Sequence, residues 1–215
     1  MLHLFFIDNS LFTILGYNMS YIEYSAIMFT LICVIFVAKG SIWNWPMGII
    51  GVSLYGIVFY QYQLYSDMFL QIFFFVANCI GWYKWLTDKD SHNRQINTYW
   101  ATPSENIKYL IGIIIGIALM GWFMSNINHI FPKLFPHPAS FPYADSSIAV
   151  LSFAATIWQI NKRINQWILW MINDVIAIIL YFIKHIPFTS LLYCLFLLIV
   201  IKGLFNWIKL HKTNS

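Results

Sequence analysis

The chain has 215 residues, 60% of them hydrophobic and 20% aromatic, with only 9% charged and a formal net charge of +4. An ordinary soluble domain is about 25% charged, and so few charges cannot cover a soluble globule of this size. Soluble folds and disordered chains are both excluded, since disorder needs high charge and few aromatics. A polytopic membrane protein with little mass outside the bilayer remains.

Residues Met1 to Tyr17 are apolar but lack the basic start and small-residue cleavage site of a signal peptide. Asp8 and Asn9 interrupt them, so residues 1–20 read as a short outer or interfacial segment. Seven apolar runs follow, each near the 20 or so residues that a spanning helix needs. They cover about 21–38, 43–61, 67–86, 107–126, 145–160, 165–183 and 188–208. Pro46 lies just inside the second, and Pro187 marks the turn between the last two. Pro132, Pro136, Pro138 and Pro142 forbid a helix from Phe131 to Pro142 and predict an extended loop. Residues 209–215 form a tail.

Cys33, Cys79 and Cys194 lie inside apolar runs with no spacing for a disulfide or zinc site, and read as packed thiols. The basic residues divide unevenly. Lys133 and Lys184 fall on one side; Lys39, Lys84, Lys89, Arg94, Lys108, Lys162, Arg163, Lys209 and Lys212 fall on the other. Positive charge collects on the cytoplasmic side, which places the N-terminus outside and the C-terminus inside. These charges flank spans instead of forming a face, so nucleic acid is not an expected partner.

An offset of 122 lays residues 23–86 on 145–208 without a gap. It pairs Glu23 with Asp145, Ser25 with Ser147, Ile42 with Ile164, Trp45 with Trp167, Leu70 with Leu192, Gly81 with Gly203 and Trp85 with Trp207. Two three-helix units (21–86 and 145–208) joined through 87–144, which holds the fourth helix and the Pro-rich loop, make a parallel 3+1+3 arrangement. Parallel repeats characterise one class of transporter, whose site lies at the repeat interface near mid-membrane.

Polar groups buried in a bilayer are functional candidates by default. In the sixth run, spacings of three and four align Trp167, Trp170, Asn173, Ala177, Tyr181 and Lys184, with Asp174 beside them. Lys184, near the outer end, either touches a ligand or snorkels. The matching stripe of the second run places Gly48 and Gly51 where Trp170 and Asn173 stand, leaving room or permitting close helix packing. Asn44, Gln71, Asn78 and Gln159 are the other polar candidates, each readable as an interhelical hydrogen bond or a ligand contact. There is no Gly-Lys-Ser/Thr nucleotide loop and no His-Glu-x-x-His motif, so no enzyme and no cofactor are expected. Lys202 in a seventh span suggests a retinal protein, but Leu198 stands where such proteins carry a carboxylate. A membrane sensor that binds without transport is the other different class.

These motifs together resemble the PnuC-type nicotinamide riboside transporters, related in fold to the SWEET sugar transporters. The resemblance spans about 20–210 and rests on Asn44-Trp45-Pro46-x-Gly48-Ile49-x-Gly51, Leu64-Tyr65-Ser66-Asp67-x-x-Leu70-Gln71 and Gly81-Trp82-Tyr83-x-Trp85. In the second half it rests on Trp167-x-x-Trp170, Asn173-Asp174 and Tyr181-x-x-Lys184. Pro187 and the Pro-rich loop depart from the pattern. The resemblance implies an all-α, seven-helix membrane protein of a bacterial inner membrane, a homotrimer, and facilitated diffusion of nicotinamide riboside with trapping by a cytoplasmic kinase. Related carriers take riboflavin, thiamine or deoxynucleosides. For nicotinamide riboside, Trp170 or Trp167 would stack on the pyridinium. Asn173, Asn78 or Gln71 would pair the carboxamide, and Asp174 would take ribose hydroxyls or balance charge.

Overall fold

A computed structural model describes residues 6–14, 17–62, 65–87, 96–133, 135, 137–184 and 187–214. Of the residues singled out above, Met1, Leu64, Lys89, Arg94 and Pro136 lie outside that set. The chain separates into two compact units, one ending at Asn97 and the other beginning at Thr98.

The first unit opens with an antiparallel hairpin, β1 (Ser10–Ile14) on β2 (Tyr17–Ser20), in which Thr13 Oγ1 donates to Asn18 Oδ1 at 2.6 Å. This departs from an all-helical reading. The strands are too short to stand out as an alternating pattern within an apolar run. Ser20 ends β2 and caps α1 (Tyr21–Ala38). Its hydroxyl accepts from Glu23 N at 3.3 Å, while its own N–H donates to Glu23 Oε2 at 2.9 Å. This reciprocal box satisfies two of the N–H groups that every helix start leaves open.

At the other end of α1, Gly40 N–H donates to Val37 O and Ser41 N–H to Phe36 O. That bonding closes a Schellman turn whose left-handed residue is Gly40, at φ 64°. Then follow α2 (Asn44–Gln61) and α3 (Tyr65–Thr87), with α2 packed on both α1 and α3. Near the start of α2 the fully buried Trp45 lies edge-on to Trp85 of α3, with centroids 5.0 Å apart at 87°. Gly81 leaves the room this ring needs, because a Cβ there would run into the Trp45 six-membered ring. At the opposite end of α2, Tyr62 OH donates to Glu23 Oε1 at 3.1 Å.

The second unit begins with a short strap. Tyr99 N–H donates to Lys162 O at 3.0 Å and Ile164 N–H to Tyr99 O at 2.8 Å. Thr98 Oγ1 donates to Trp207 O, and its carbonyl accepts from His211 Nδ1 at 2.6 Å. The helices are α4 (Pro103–Ser125), the single turn α5 (Ile127–Ile130), α6 (Pro142–Ile160), α7 (Gln166–Ile183) and α8 (Pro187–Asn214). α4 packs on α6, α6 on α7 and α7 on α8. Helix α4, read from sequence as part of a linker, thus belongs to the same compact unit as the last three long helices.

Pro142, expected in the extended loop, instead opens α6. Proline is suited to the first helical position because its missing N–H would have no partner there. Pro103 opens α4 in the same way, behind the cap Thr102. The described part of 131–141 contains no helix, as the proline spacing predicts.

Among the described residues, five helices are long and apolar enough to cross a membrane: Tyr21–Ala38, Met68–Thr87, Pro103–Ser125, Gln166–Ile183 and Ser190–Thr213. α2 and α6 are less apolar. α2 carries Asn44, Gly48, Gly51 and Ser53, and α6 carries Asp145, Ser152, Thr156 and Gln159. Several of these point into the protein, where they lower hydropathy without meeting lipid; Asn44, Ser152, Thr156 and Gln159 are all buried.

Candidate functional site

The polar residues of α7 gather on its buried side. Asn173 and Asp174 are 2% and 3% exposed, and Ala177 one turn on is fully buried. Asn173 Oδ1 and Asp174 Oδ2 have no hydrogen-bond partner among the described residues. A buried polar atom left unpaired costs about 1–3 kcal/mol, so this stretch of α7 is locally unfavourable for folding alone. Trp170 is half-buried and rests against the cluster formed by Ala101, Leu151, Ala154, Ala155, Trp158 and Leu169.

Other candidates on the stripe are engaged. Trp167 is fully buried and edge-on to Trp207, with centroids 5.7 Å apart at 83°. Gly203 faces its ring, so the packing already occupies Trp167. Tyr181 stacks on Tyr193 of α8, with centroids 5.5 Å apart and planes 15° apart. Lys184 Nζ reaches Asp145 Oδ1 at 2.7 Å and Oδ2 at 3.0 Å, and lies 5.7 Å from the Phe141 ring centre and 5.8 Å from that of Tyr181. Sequence reasoning paired Asp145 with Glu23 across the repeat but missed this bond. Lys184 caps α7 and Asp145 lies in the first turn of α6, so the ion pair ties two adjacent helix ends. Gln159, 8% exposed, lies near the end of α6, the helix packed on α7.

In the first unit, Asn78 is 8% exposed and its Nδ2 donates to Phe74 O at 2.7 Å. Its side chain packs so closely on Gly48 that a Cβ there would collide with Oδ1. That glycine admits Asn78 to the α2–α3 contact. Gln71 is half-buried on α3. Asn44 is fully buried and its Nδ2 donates to Ser41 O at 2.7 Å, across the turn before α2. A cavity of about 370 Å³ near Trp85 is lined by Ile42, Trp43, Pro46, Trp82, Leu86 and Ile96. None of the polar candidates borders it.

Several buried polar residues escaped the sequence reading, Ser146, Asn165 and Gln166 among them. Gln166, at the start of α7, is fully buried, and neither Oε1 nor Nε2 has a partner among the described residues. It stands seven residues before Asn173 and 122 after Asn44, so both helical spacing and the repeat offset carried the signal.

Long apolar helices that carry buried, unpaired amide and carboxylate oxygens define a polytopic membrane protein. Residues 20–209 match the family described as Nicotinamide mononucleotide transporter, and the chain belongs to that family. It is similar to the Nicotinamide riboside transporter PnuC of Escherichia coli, 30% identical over 211 residues, covering 90% of this chain and 87% of that one. The Riboflavin/roseoflavin transporter RibM of Streptomyces davaonensis is 25% identical over 180 residues, covering 82% of this chain and 79% of that one. Among solved structures, the crystal structure of the Vitamin B3 transporter PnuC matches with a TM-score of 0.69 and 24% identity, covering 91% of this chain and 83% of that one. The resemblance drawn from the motifs is borne out, and these relatives are transporters.

Proposed function

We propose that the chain carries nicotinamide riboside through a bacterial inner membrane by facilitated diffusion, with alternating access. Its relatedness to PnuC transporters supports the substrate. The observation that carries the site is the Asn173–Asp174 pair, buried in a helix apolar enough to cross a membrane with an oxygen of each unpaired. Both atoms accept hydrogen bonds, which suits the ribose hydroxyls, and Asp174 can also balance the pyridinium charge. Trp170, which unlike Trp167 is not held in an indole pair, stacks on that cation for about 0.5–2 kcal/mol. Gln159, Tyr181, Trp167 and Lys184 serve as further lining or positioning groups in the second unit; Asn44, Gln71 and Asn78 are the proposed substrate contacts of the first unit.

The proposed architecture is the parallel seven-helix 3+1+3 repeat, with units 21–86 and 145–208. Local features recurring at the 122-residue offset support it. Trp45, Trp85 and Gly81 correspond to Trp167, Trp207 and Gly203; Gly40 corresponds to Lys162; the Glu23–Tyr62 bond corresponds to Asp145–Lys184. The N-terminus outside follows from the distribution of Lys and Arg. A homotrimer and trapping by a cytoplasmic kinase are proposed from the family resemblance.

The test is titration of purified protein with nicotinamide riboside, with riboflavin, thiamine and nicotinamide mononucleotide as competitors, followed by uptake into liposomes. Binding and flux of nicotinamide riboside are expected, with Asp174→Ala and Trp170→Ala each abolishing binding in folded protein. Preference for riboflavin would replace the substrate, and binding without flux would make the chain a sensor. Unchanged affinity in both variants would remove the site.

A further inference from the structure

We infer that Gln166 is a specificity-determining residue that recognises the carboxamide of the substrate, an inference that rests on the substrate proposed above. A buried amide with both ends unpaired is a costly arrangement, and the fold offers a cheaper one. At the equivalent place in the first unit, Asn44 N–H and Asn44 Nδ2 both donate to Ser41 O. In the second unit the backbone repeats this, with Gln166 N–H donating to Arg163 O at 3.2 Å. Yet the Gln166 side chain does not take the carbonyl that Asn44 takes, and its donor and acceptor both stay open.

The chemistry left open differs along α7. Asn173 Oδ1 and Asp174 Oδ2 can accept only, whereas Gln166 presents one donor and one acceptor side by side. A primary carboxamide is the complement of such a group, since each can donate one bond and accept one. Seven residues advance an α-helix by about 10 Å and return to nearly the same face, so Gln166 and Asn173 lie on one line of α7. A flat pyridine carboxamide attached to a ribose is long enough for its two polar ends to address separate turns of one helix. On this reading Gln166 holds the carboxamide, Asn173 and Asp174 hold the sugar, and Trp170, at the intervening turn, faces the ring between them.

The experiment titrates the parent, Gln166→Leu and Gln166→Asn with nicotinamide riboside and with nicotinic acid riboside, whose carboxylate offers no donor. Thermal unfolding is followed alongside. The parent is expected to prefer the amide form at least tenfold. Gln166→Leu is expected to lose at least tenfold in affinity for nicotinamide riboside, and with it the preference, without losing thermal stability. Gln166→Asn, short enough to tie back to the turn as Asn44 does, folds even if the leucine variant does not and should show the same loss. A parent that binds nicotinamide riboside but tolerates both variants overturns this inference and leaves the proposed substrate standing. Equal loss for both ribosides with the preference retained also overturns it. A parent that binds neither riboside overturns the proposed substrate, and this inference with it.

Discussion

Replacing Gly203 by alanine tests the aromatic packing on which α7 is set. A Cβ at position 203 would lie 2.5 Å from Trp167 Cη2 and 2.7 Å from Cζ2 and Cζ3, whereas ordinary contact begins near 3.4 Å. The ring would have to retreat by about 0.9 Å, yet it is buried and held edge-on against the equally buried Trp207. Overpacking of this kind typically costs about 1–3 kcal/mol, a drop in Tm of a few to about ten degrees in a chain of this length. Because Trp167 lies one turn before Trp170, affinity for the substrate should fall as well. Thermal unfolding in detergent, beside Gly112→Ala, provides the measurement. Gly112 has nothing within 4 Å of its would-be Cβ, and alanine inside a helix is favoured over glycine by up to about 1 kcal/mol, so that variant should melt no lower than the parent. If Gly203→Ala melted with the parent or above it, the tight indole–glycine contact would be refuted.

Three other perturbations probe separate parts of the fold. Ser20→Ala removes the hydroxyl of the buried capping box and should cost about 1–2 kcal/mol, read as a lower Tm than that of Ser53→Ala, whose hydroxyl merely back-bonds within α2. Gly40→Ala places a side chain at φ 64° and should destabilise by about 1 kcal/mol; an unchanged melting curve would show that this turn carries no strain. Lys184→Met breaks the ion pair with Asp145, whose side chains are 22% and 46% exposed, so the loss should stay under about 1 kcal/mol. Melting the parent in low and high salt should reproduce most of that loss, while the variant should be indifferent to salt.

The helices were legible in the sequence because lipid imposes one rule on every spanning segment, and Pro, Gly and charge punctuate the runs between. The start of α6 was misplaced because Pro142 is indistinguishable, by spacing, from the three prolines before it; only the chain's direction after it decides between loop and helix start. The hairpin was missed because Ser10–Ile14 and Tyr17–Ser20, five and four residues long, are too short to establish an alternating period. For the site, helical spacing brought out Asn173 and Asp174 but not which stripe residues were already engaged. Whether Trp167 faces a ligand or another indole depends on Trp207, 40 residues away. Lys184 depends on Asp145 in the same way. Gln166 fell inside the sixth run, four residues before Trp170 and seven before Asn173, but the stripe was taken from Trp167 onward and passed it over.

Within each unit the middle helix is fastened to its two neighbours by different chemistry, α2 to α3 and α7 to α8 at one end, α2 to α1 and α7 to α6 at the other. At the Trp45 and Trp167 ends, indole meets indole over a glycine, and such an interlocked contact resists sliding or opening without loss of close packing. At the far ends, the fastenings are a single phenol–carboxylate bond in one unit and an ammonium–carboxylate pair in the other. Water can substitute for either polar bond at little cost, but nothing can substitute for the ring edges. Each unit is therefore jointed unevenly: the middle helix is locked to the helix that follows it and only lightly tied to the helix that precedes it. Parting of helices within a unit costs least at that light tie.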